Sequence, residues 1–263
     1  MSAITPYGIR KIILEQSKRA HVGHIGSALS VADILAALYS GPLGAARGKD
    51  PERDRFILSK GHAALALYAA LHLRGDITRA ELDSFCGDGS GLGVHPESSL
   101  HCVDFSTGAL GQGLSMAAGA ALAARLQGSP RRVFALLSDG ECNEGAVWEA
   151  ALFAAHHKLE NLTAIIDLNG QQAFGYTEEV LSMTPMPERW RAFNWEVAEV
   201  DGHDMPALAA ALAARPAGRP SMIVARTVFG RGVPFMEGRI KWHYWPMSDA
   251  EYALAMAGLE KLK

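Results

Sequence analysis

Two polar residues follow neighbouring apolar runs and could together hold a metal ion. Asp139 comes just after an apolar run over residues 133–137, and Asn169 follows a second run over residues 162–166. Such short runs are typical of strands that are buried on both faces of a parallel sheet. Ligands of these sheets bind at the carboxyl ends of the strands, so Asp139 and Asn169 are expected side by side. Carboxylate and amide oxygens are ligands that Mg²⁺ takes, commonly with phosphate oxygens beside them.

Glycines stand near several further residues that could bind a ligand. His62 follows a glycine between a predicted strand and a predicted helix, where a histidine can donate to an anion at the helix N-terminus. His95 lies in a loop over residues 86–105, and loops of this length inside compact domains are usually functional. Gly140, directly after Asp139, would let the backbone come close to a phosphate. These positions favour a ligand that carries phosphate.

The same residues also fit ordinary turns. An Asp-Gly turn beside an Asn-Gly turn is common at strand ends, and the glycine-rich segment around His24 could be a solvated turn. His62 could cap its own turn, and Glu144, in the first turn of a predicted helix, could satisfy the positive helix end. Spacing alone therefore leaves both interpretations open.

Strands that alternate with helices must position these residues. The predicted strands cover residues 55–59, 133–137, 162–166, 195–200 and 221–226. The predicted helices cover residues 6–19, 31–39, 64–73, 78–85, 113–126, 144–157, 186–193, 205–214 and 249–261, with Ser30 as the N-cap of the second, and loops are expected over residues 41–53 and 171–179. This alternation predicts one α/β domain over residues 1–263, in three layers, with a mostly parallel sheet and helices on both faces.

Five loops, in order along the chain, resemble those of the transketolase family. They carry His24, Gly61-His62, His95-Pro96-Glu97, Gly108-Ala109-Leu110-Gly111-Gln112-Gly113 and Asp139-Gly140. The resemblance extends over nearly the whole chain, and it is to the domain that binds the diphosphate of thiamine diphosphate. It implies the thiamine-diphosphate-binding fold, which is the same three-layer α/β arrangement.

The resemblance also implies a magnesium and cofactor site. In the family, the residues that match Asp139 and Asn169, with the main-chain carbonyl that matches Gln171, hold Mg²⁺ on the diphosphate. The residues that would bind the cofactor are His62, Gly108, Leu110, Gly140, Glu141, Asn169 and His243. Some neighbours differ from the family pattern, since Ser138 replaces a glycine and Gly170 an asparagine, but none of these differences removes a ligand.

Catalytic roles are implied for four histidines and one glutamate. By resemblance, His24, His62, His95 and His243 polarise the substrate or transfer protons, and Glu144 joins an acidic network between the active sites of a dimer. Bound thiamine diphosphate carries the difficult chemistry of such enzymes. The implied reaction moves a ketol unit from a ketose to an aldose, so sugars or sugar phosphates are the expected substrates.

A second chain is implied as well. In the family, a glutamate on a separate pyrimidine-binding domain activates the cofactor, and this sequence shows no counterpart of that domain. We therefore expect the partner to be a C-terminal transketolase subunit, in a heterotetramer of two heterodimers. The helix after Glu144 has a face of small residues that is expected at the interface: Ala146, Val147, Ala150, Ala151 and Ala154.

Composition excludes several other classes of protein. The 263 residues are 49% hydrophobic and 20% charged, which is typical of a globular chain. The formal net charge of −3 and the absence of a basic run argue against nucleic acid as a partner. No apolar run reaches membrane-spanning length, and no signal-peptide pattern is present. Three cysteines without metal spacing favour the reducing cytoplasm.

Two other functions remain to be weighed. The alpha chain of a thiamine-dependent 2-oxoacid dehydrogenase has a similar division into chains, but the loops around His24 and His95 favour a polyol substrate, which needs such donors. A non-catalytic relative could keep the fold and bind a partner. The presence of Asp139, Asn169 and the histidines argues against that, because a binding module needs none of them.

Overall fold

A parallel five-stranded sheet forms the centre of the molecule, which is described here by a computed structural model over residues 3–44 and 50–262. The strands are β1 Arg55–Leu58, β2 Val133–Ser138, β3 Leu162–Leu168, β4 Gln171–Gln172, β5 Gly175–Tyr176, β6 Glu196–Asp201 and β7 Ser221–Arg226. The order in the sheet is β1-β2-β3-β7-β6, and every pairing is parallel. β4 and β5 form a separate antiparallel hairpin.

Helices cover both faces of the sheet. They are α1 Pro6–Ala20, α2 Ile25–Ser30, α3 Ala32–Ser40, α4 Ala64–Arg74, α5 Arg79–Leu82, α6 Gly113–Leu126, α7 Gly145–His156, α8 Thr177–Leu181, α9 Met186–Ala192, α10 Met205–Ala213, α11 Lys241–Tyr244 and α12 Asp249–Leu259. Short 3₁₀ turns lie at Gly61–Ala63, Gly140–Asn143 and Glu260–Leu262. In these described ranges no helix combines the length and the hydropathy that a membrane span requires.

The core has two halves, one on each side of the sheet. Alternate residues of a strand point to opposite faces, so Phe134 and Leu136 of β2 pack with α1 to α4, while Ala135 and Leu137 pack with α6 and α7. β2 and β3 are buried almost throughout, as expected of central parallel strands. The predicted three-layer α/β fold is therefore confirmed.

Helix starts follow their capping residues closely. Thr5 accepts a hydrogen bond from the Gly8 amide at the start of α1, and Pro6 occupies the first helical position. Thr78 and Glu81 form a capping box at the start of α5. The loop expected over residues 41–53 lies partly outside the described residues.

Two local predictions were wrong. Ser30 does not cap a helix, because it is the last residue of α2 and its hydroxyl donates to Ser27 O and Asp167 Oδ2. The segment over residues 171–179 is not a plain loop, since it contains the β4–β5 hairpin and the first residues of α8.

The small-residue face of α7 was assigned to the wrong surface. Val147, Ala150, Ala151 and Ala154 are buried in this chain's own core, where α7 packs against α6 and the sheet. Small side chains here allow two helices of one chain to approach closely, so the face is not available to a partner.

Candidate active site at the carboxyl ends of the strands

Asp139 and Asn169 lie together, as the sheet predicts. Ser138 at the end of β2 is in register with Asp167 of β3, so the segments that follow leave the sheet at the same level. The Asp139 carboxylate accepts the Gly140 amide at 2.8 Å and the Gly170 amide at 2.7 Å. The turn after Asn169 requires a left-handed residue, which Gly170 supplies with φ of 74°. Two backbone amides thus fix the carboxylate beside Asn169.

The Asn169 amide has a defined orientation. Its Nδ2 donates to Asp167 Oδ2 at 2.7 Å, and its Oδ1 accepts the Gln171 amide at 2.9 Å. The Gln171 side chain is buried and donates to Gly238 O, and its Oε1 has no hydrogen-bond partner in the described structure. Asp139 and Asn169 therefore lie side by side next to a cavity that they and Gly170 help to line, and the set of three magnesium ligands stays a prediction.

The environment of Asp139 fits a divalent cation. Burial, followed by the nearby carboxylate of Asp167, raises the pKa of Asp139 to about 7. Within the described residues Asp139 forms no ion pair, although its side chain is almost fully buried. A cation beside it would relieve the cost of burying this charge. With one carboxylate, an amide oxygen and a carbonyl, the donor set suits Mg²⁺ completed by phosphate oxygens.

Three predicted histidines form a compact cluster. The ring centroids of His24 lie 5.6 Å from His62 and 5.1 Å from His243, and His62 and His243 are 5.5 Å apart. The His24 amide donates to His243 O at 3.1 Å, which joins the loop before α2 to α11. The His62 Nε2 is 2.8 Å from the Ser27 hydroxyl. Residues far apart in sequence thus meet at one edge of the sheet.

Burial keeps these three imidazoles neutral near pH 7. It lowers the pKa of His243 to about 4, with further contributions from His24 and Lys60. Burial also lowers the pKa of His24, with His95 adding to the effect, and lowers that of His62 well below its usual value. The Nδ1 atoms of His24 and His243 are buried and have no hydrogen-bond partner in the described structure.

His95 completes this group from the long loop. Its charge affects the pKa values of both His24 and His62, and its ring lies against Gly108, where a Cβ atom would be 3.4 Å away. Tyr68 of α4 donates to His95 O at 3.1 Å and so fixes the loop. All four predicted histidines are therefore brought together, while their catalytic roles stay predictions.

The glycine-rich loop before α6 is tied to the strand ends. Thr107 donates to Leu58 O at 2.7 Å, and the Gly111 amide donates to Glu141 Oε1 at 2.7 Å. Leu110 at the tip of this loop is 36% exposed and is free to meet a ligand or a partner. Gly108 packs against the His95 ring, and its cofactor contact, like that of Leu110, stays a prediction.

Glu141 has a different environment from the one that was expected. It is fully buried, burial raises its pKa, and it accepts hydrogen bonds from Ser59, Gly111 and Ser138. Through these hydrogen bonds, the Glu141 side chain connects the ends of β1 and β2 to the glycine-rich loop. We therefore infer that it positions the loop and does not contact the cofactor directly.

Gly140 and Glu144 also differ in detail from expectation. A Cβ atom on Gly140 would lie 2.7 Å from the Cβ of Gln172, so close packing against the β4–β5 hairpin requires glycine there. Glu144 precedes α7, is exposed, and makes no capping hydrogen bond with its side chain. Glu144 is the N-cap residue of α7, so its charge lies at the positive helix end as considered, and its implied network role stays a prediction.

Lys60 and Asp167 are site residues that were missed in the sequence. Both side chains are fully buried, and they form an ion pair directly beneath the Asn169 amide. Asp167 is the one charged residue of β3 and lies next to its carboxyl end, and Lys60 lies two residues after the end of β1. That pattern was a usable signal, because an isolated charge in a buried strand requires a partner.

Comparisons with known proteins agree with this geometry. The family described as "Transketolase, thiamine diphosphate binding domain" matches residues 4–260. The chain is 40% identical to a 6-deoxy-6-sulfo-D-fructose transketolase subunit of Clostridium sp. over 96% of this chain and 94% of that protein. It is 38% identical to an apulose-4-phosphate transketolase subunit of Phocaeicola vulgatus, over 94% of this chain and 89% of that protein.

Solved structures are matched over a smaller share of their length. The transketolase of Campylobacter jejuni superposes with a TM-score of 0.88 and 30% identity, over 98% of this chain and 42% of that chain. A transketolase variant of Pichia stipitis superposes with the same TM-score over 97% of this chain and 40% of that one. This chain thus spans about two fifths of the solved proteins that it resembles.

Proposed function

This chain belongs to the thiamine-diphosphate-binding domain family of transketolase, and we propose that it is the diphosphate-binding subunit of a two-chain transketolase. The observation that carries the proposal is the set of four histidines at the same sheet edge as Asp139. Near full-length similarity to proteins named as transketolase subunits supports the division into two chains. We further propose that residues 1–263 act as one domain.

The chain's own residues would bind the cofactor and its metal ion. Asp139, Asn169 Oδ1 and the Gln171 carbonyl would hold Mg²⁺, and His62 and His243 would lie next to the cofactor. Thiamine diphosphate would supply the chemistry that cleaves a ketose and transfers the ketol unit. The partner's pyrimidine-binding domain would supply the activating glutamate, in a heterotetramer of two heterodimers.

Neutral histidines suit the proton transfers of this reaction. A neutral imidazole can accept a proton from a sugar hydroxyl and return it to a carbonyl oxygen. His24 and His243 lie with His62 in one cluster that would carry these transfers, and His95 adds a group from the loop. Relatives named for a sulfosugar and a sugar phosphate support a ketose that carries an anionic group as donor.

The other candidates are less well supported. The matched family and the named relatives are transketolases, whereas a 2-oxoacid dehydrogenase alpha chain does not need a cluster of four histidines. A non-catalytic binding protein would gain nothing from a buried carboxylate with a raised pKa. Three free cysteines support the proposed cytoplasmic location.

Calorimetry on the assembled two-chain complex tests the metal assignment. Asp139→Ala removes the only carboxylate ligand, so Mg²⁺ and thiamine diphosphate should bind much more weakly and ketol transfer should be lost. Asp139→Asn should be intermediate. Asp104→Asn is the matched control. Asp104 forms an ion pair with Arg53 and accepts a hydrogen bond from the Phe56 amide near the amino end of β1, whereas the site lies at the carboxyl ends of the strands. Unchanged affinity in Asp139→Ala would exclude this magnesium site.

A second measurement tests the substrate role of the histidines. His24→Ala and His95→Ala should each lower the rate of ketol transfer by about 10²–10⁴-fold, the usual effect of losing a general acid or base. Cofactor affinity should change little, because neither residue is assigned to the diphosphate. A loss of cofactor in proportion to the loss of activity would contradict this role.

A further inference from the structure

The buried Asp167 carboxylate accepts four hydrogen bonds beneath the proposed metal site. It accepts Ser30 Oγ at 2.7 Å and Asn169 Nδ2 at 2.7 Å, and it also accepts the Lys60 ammonium and the Thr227 hydroxyl. The donors come from the end of α2, the segment after β1, the segment after β3 and the segment after β7. One buried side chain therefore connects four separate parts of the site.

This contact decides which way the Asn169 amide faces. An asparagine side chain can present either its oxygen or its NH₂ group in a given direction. Here the NH₂ group meets a carboxylate, which only accepts, and the oxygen meets the Gln171 amide, which only donates. The flipped amide would set oxygen against oxygen and NH₂ against N–H. The proposed metal ligand Oδ1 is thus held in one orientation.

Lys60 makes the arrangement possible. A carboxylate that is buried without a counter-charge is costly to the fold. The Lys60 ammonium is fully buried against Asp167 and balances its charge. Lys60 also lies near His62 and His243, whose pKa values it helps to lower.

We propose that Asp167, paired with Lys60, is a positioning residue that fixes the Asn169 amide for magnesium. The proposal rests on the proposed function, since it assumes that Asn169 Oδ1 binds the metal ion. It assigns to this buried pair a task beyond stabilising the fold. Outer groups of this kind commonly change metal affinity by about 10–100-fold.

The test measures Mn²⁺ affinity, by electron paramagnetic resonance, on the assembled complex with thiamine diphosphate. Asp167→Asn should weaken Mn²⁺ binding by about 10–100-fold. Thermal unfolding of the same samples reports whether each variant is folded. Asp104→Asn is the control, because it removes a paired carboxylate far from the metal and should leave Mn²⁺ affinity unchanged.

The double variant Lys60→Met with Asp167→Asn separates positioning from structural support. Removing both charges leaves no uncompensated ion, so the unfolding temperature should recover relative to Lys60→Met alone. Mn²⁺ affinity should stay low, because Asn at position 167 can face Asn169 with either side of its amide.

The outcomes can be told apart. Wild-type affinity in the double variant, or in a folded Asp167→Asn protein, would overturn the positioning role and leave the magnesium site intact. A wild-type complex that does not bind Mn²⁺ would overturn the magnesium site and the positioning role together. Weak binding in both Asp167 variants, with a normal Asp104→Asn control, is the expected result.

Discussion

At the residue scale, burial decides the charge of the site histidines and gives a testable dependence on pH. The folded-state pKa of His243 is about 4, below the ordinary value of 6.5, because of burial and then because of His24 and Lys60. Below pH 6.5 the unfolded chain therefore takes up a proton that the folded chain does not. The stabilising contribution of neutral His243 is present above pH 6.5 and is lost as the pH falls toward 4.

We expect His243→Gln to reduce this acid sensitivity. The drop in unfolding temperature between pH 7.5 and pH 5 should be smaller in His243→Gln than in the wild type. Asp139, with its raised pKa, stabilises the metal-free protein as the pH falls, which is the opposite effect. This contribution is the same in the wild type and in His243→Gln, so it cancels in the comparison. The exposed His101→Gln variant is the control, and equal drops in all three proteins would contradict the prediction.

The residues of the site could be predicted to different extents. Asp139, Asn169 and the histidines were found because glycines mark them and because their order along the chain resembles a family. Asp167 and Lys60 were missed because each follows apolar residues and was read as part of a strand or its end. Glu141 was assigned to the cofactor, but its burial could be known only from the packing of three segments around it.

At the scale of elements, α2 requires a glycine at position 26, where the segment after β7 packs against it. A Cβ atom on Gly26 would overlap the ring of Phe229, and that ring stacks on His243 with centroids 6.3 Å apart. The Gly230 amide donates to Gly26 O at 3.0 Å, so the two segments are also joined through their backbones. The position of His243 thus depends on close approach at Gly26.

Gly26→Ala should therefore destabilise the chain by roughly 1–3 kcal/mol, the usual cost of overpacking a core. Gly119→Ala is the matched control, because Gly119 lies within α6 with no atom near the added methyl group. That change should stabilise the chain by about 0.5–1 kcal/mol, since alanine favours helix. Urea unfolding measures both, and equal stabilities of the two variants would refute the argument.

The strands were easier to predict than the short helices between them. The apolar runs of β2 and β3 became strands that are buried almost throughout in the centre of the sheet. α2 was missed because its sequence, with Gly26 near its start and His24 before it in the left-handed region, has weak helical preference. Its six residues are all buried, so tertiary packing and not local propensity forms this helix.

At the scale of the whole molecule, the chain covers only 40–42% of the two solved transketolase chains named above. We expect the purified chain to be inactive at saturating Mg²⁺ and thiamine diphosphate, because the activating glutamate would come from the partner. Adding a pyrimidine-domain chain should restore ketol transfer and form an interface of roughly 2,000 Å² or more. Full turnover by the isolated chain, shown to be free of host transketolase, would contradict the two-chain proposal.

The position of β7 has a consequence for synthesis on the ribosome. β7 is the last strand of the central sheet to be made, but it lies between β3 and β6. Until residue 226 has left the exit tunnel, β3 exposes an apolar edge and β6 has no neighbour in the sheet. Unpaired apolar edges of this kind favour aggregation of partly made chains. The growing chain should therefore depend on chaperones until its last fifth emerges, and the active site, which needs His243, forms only after that.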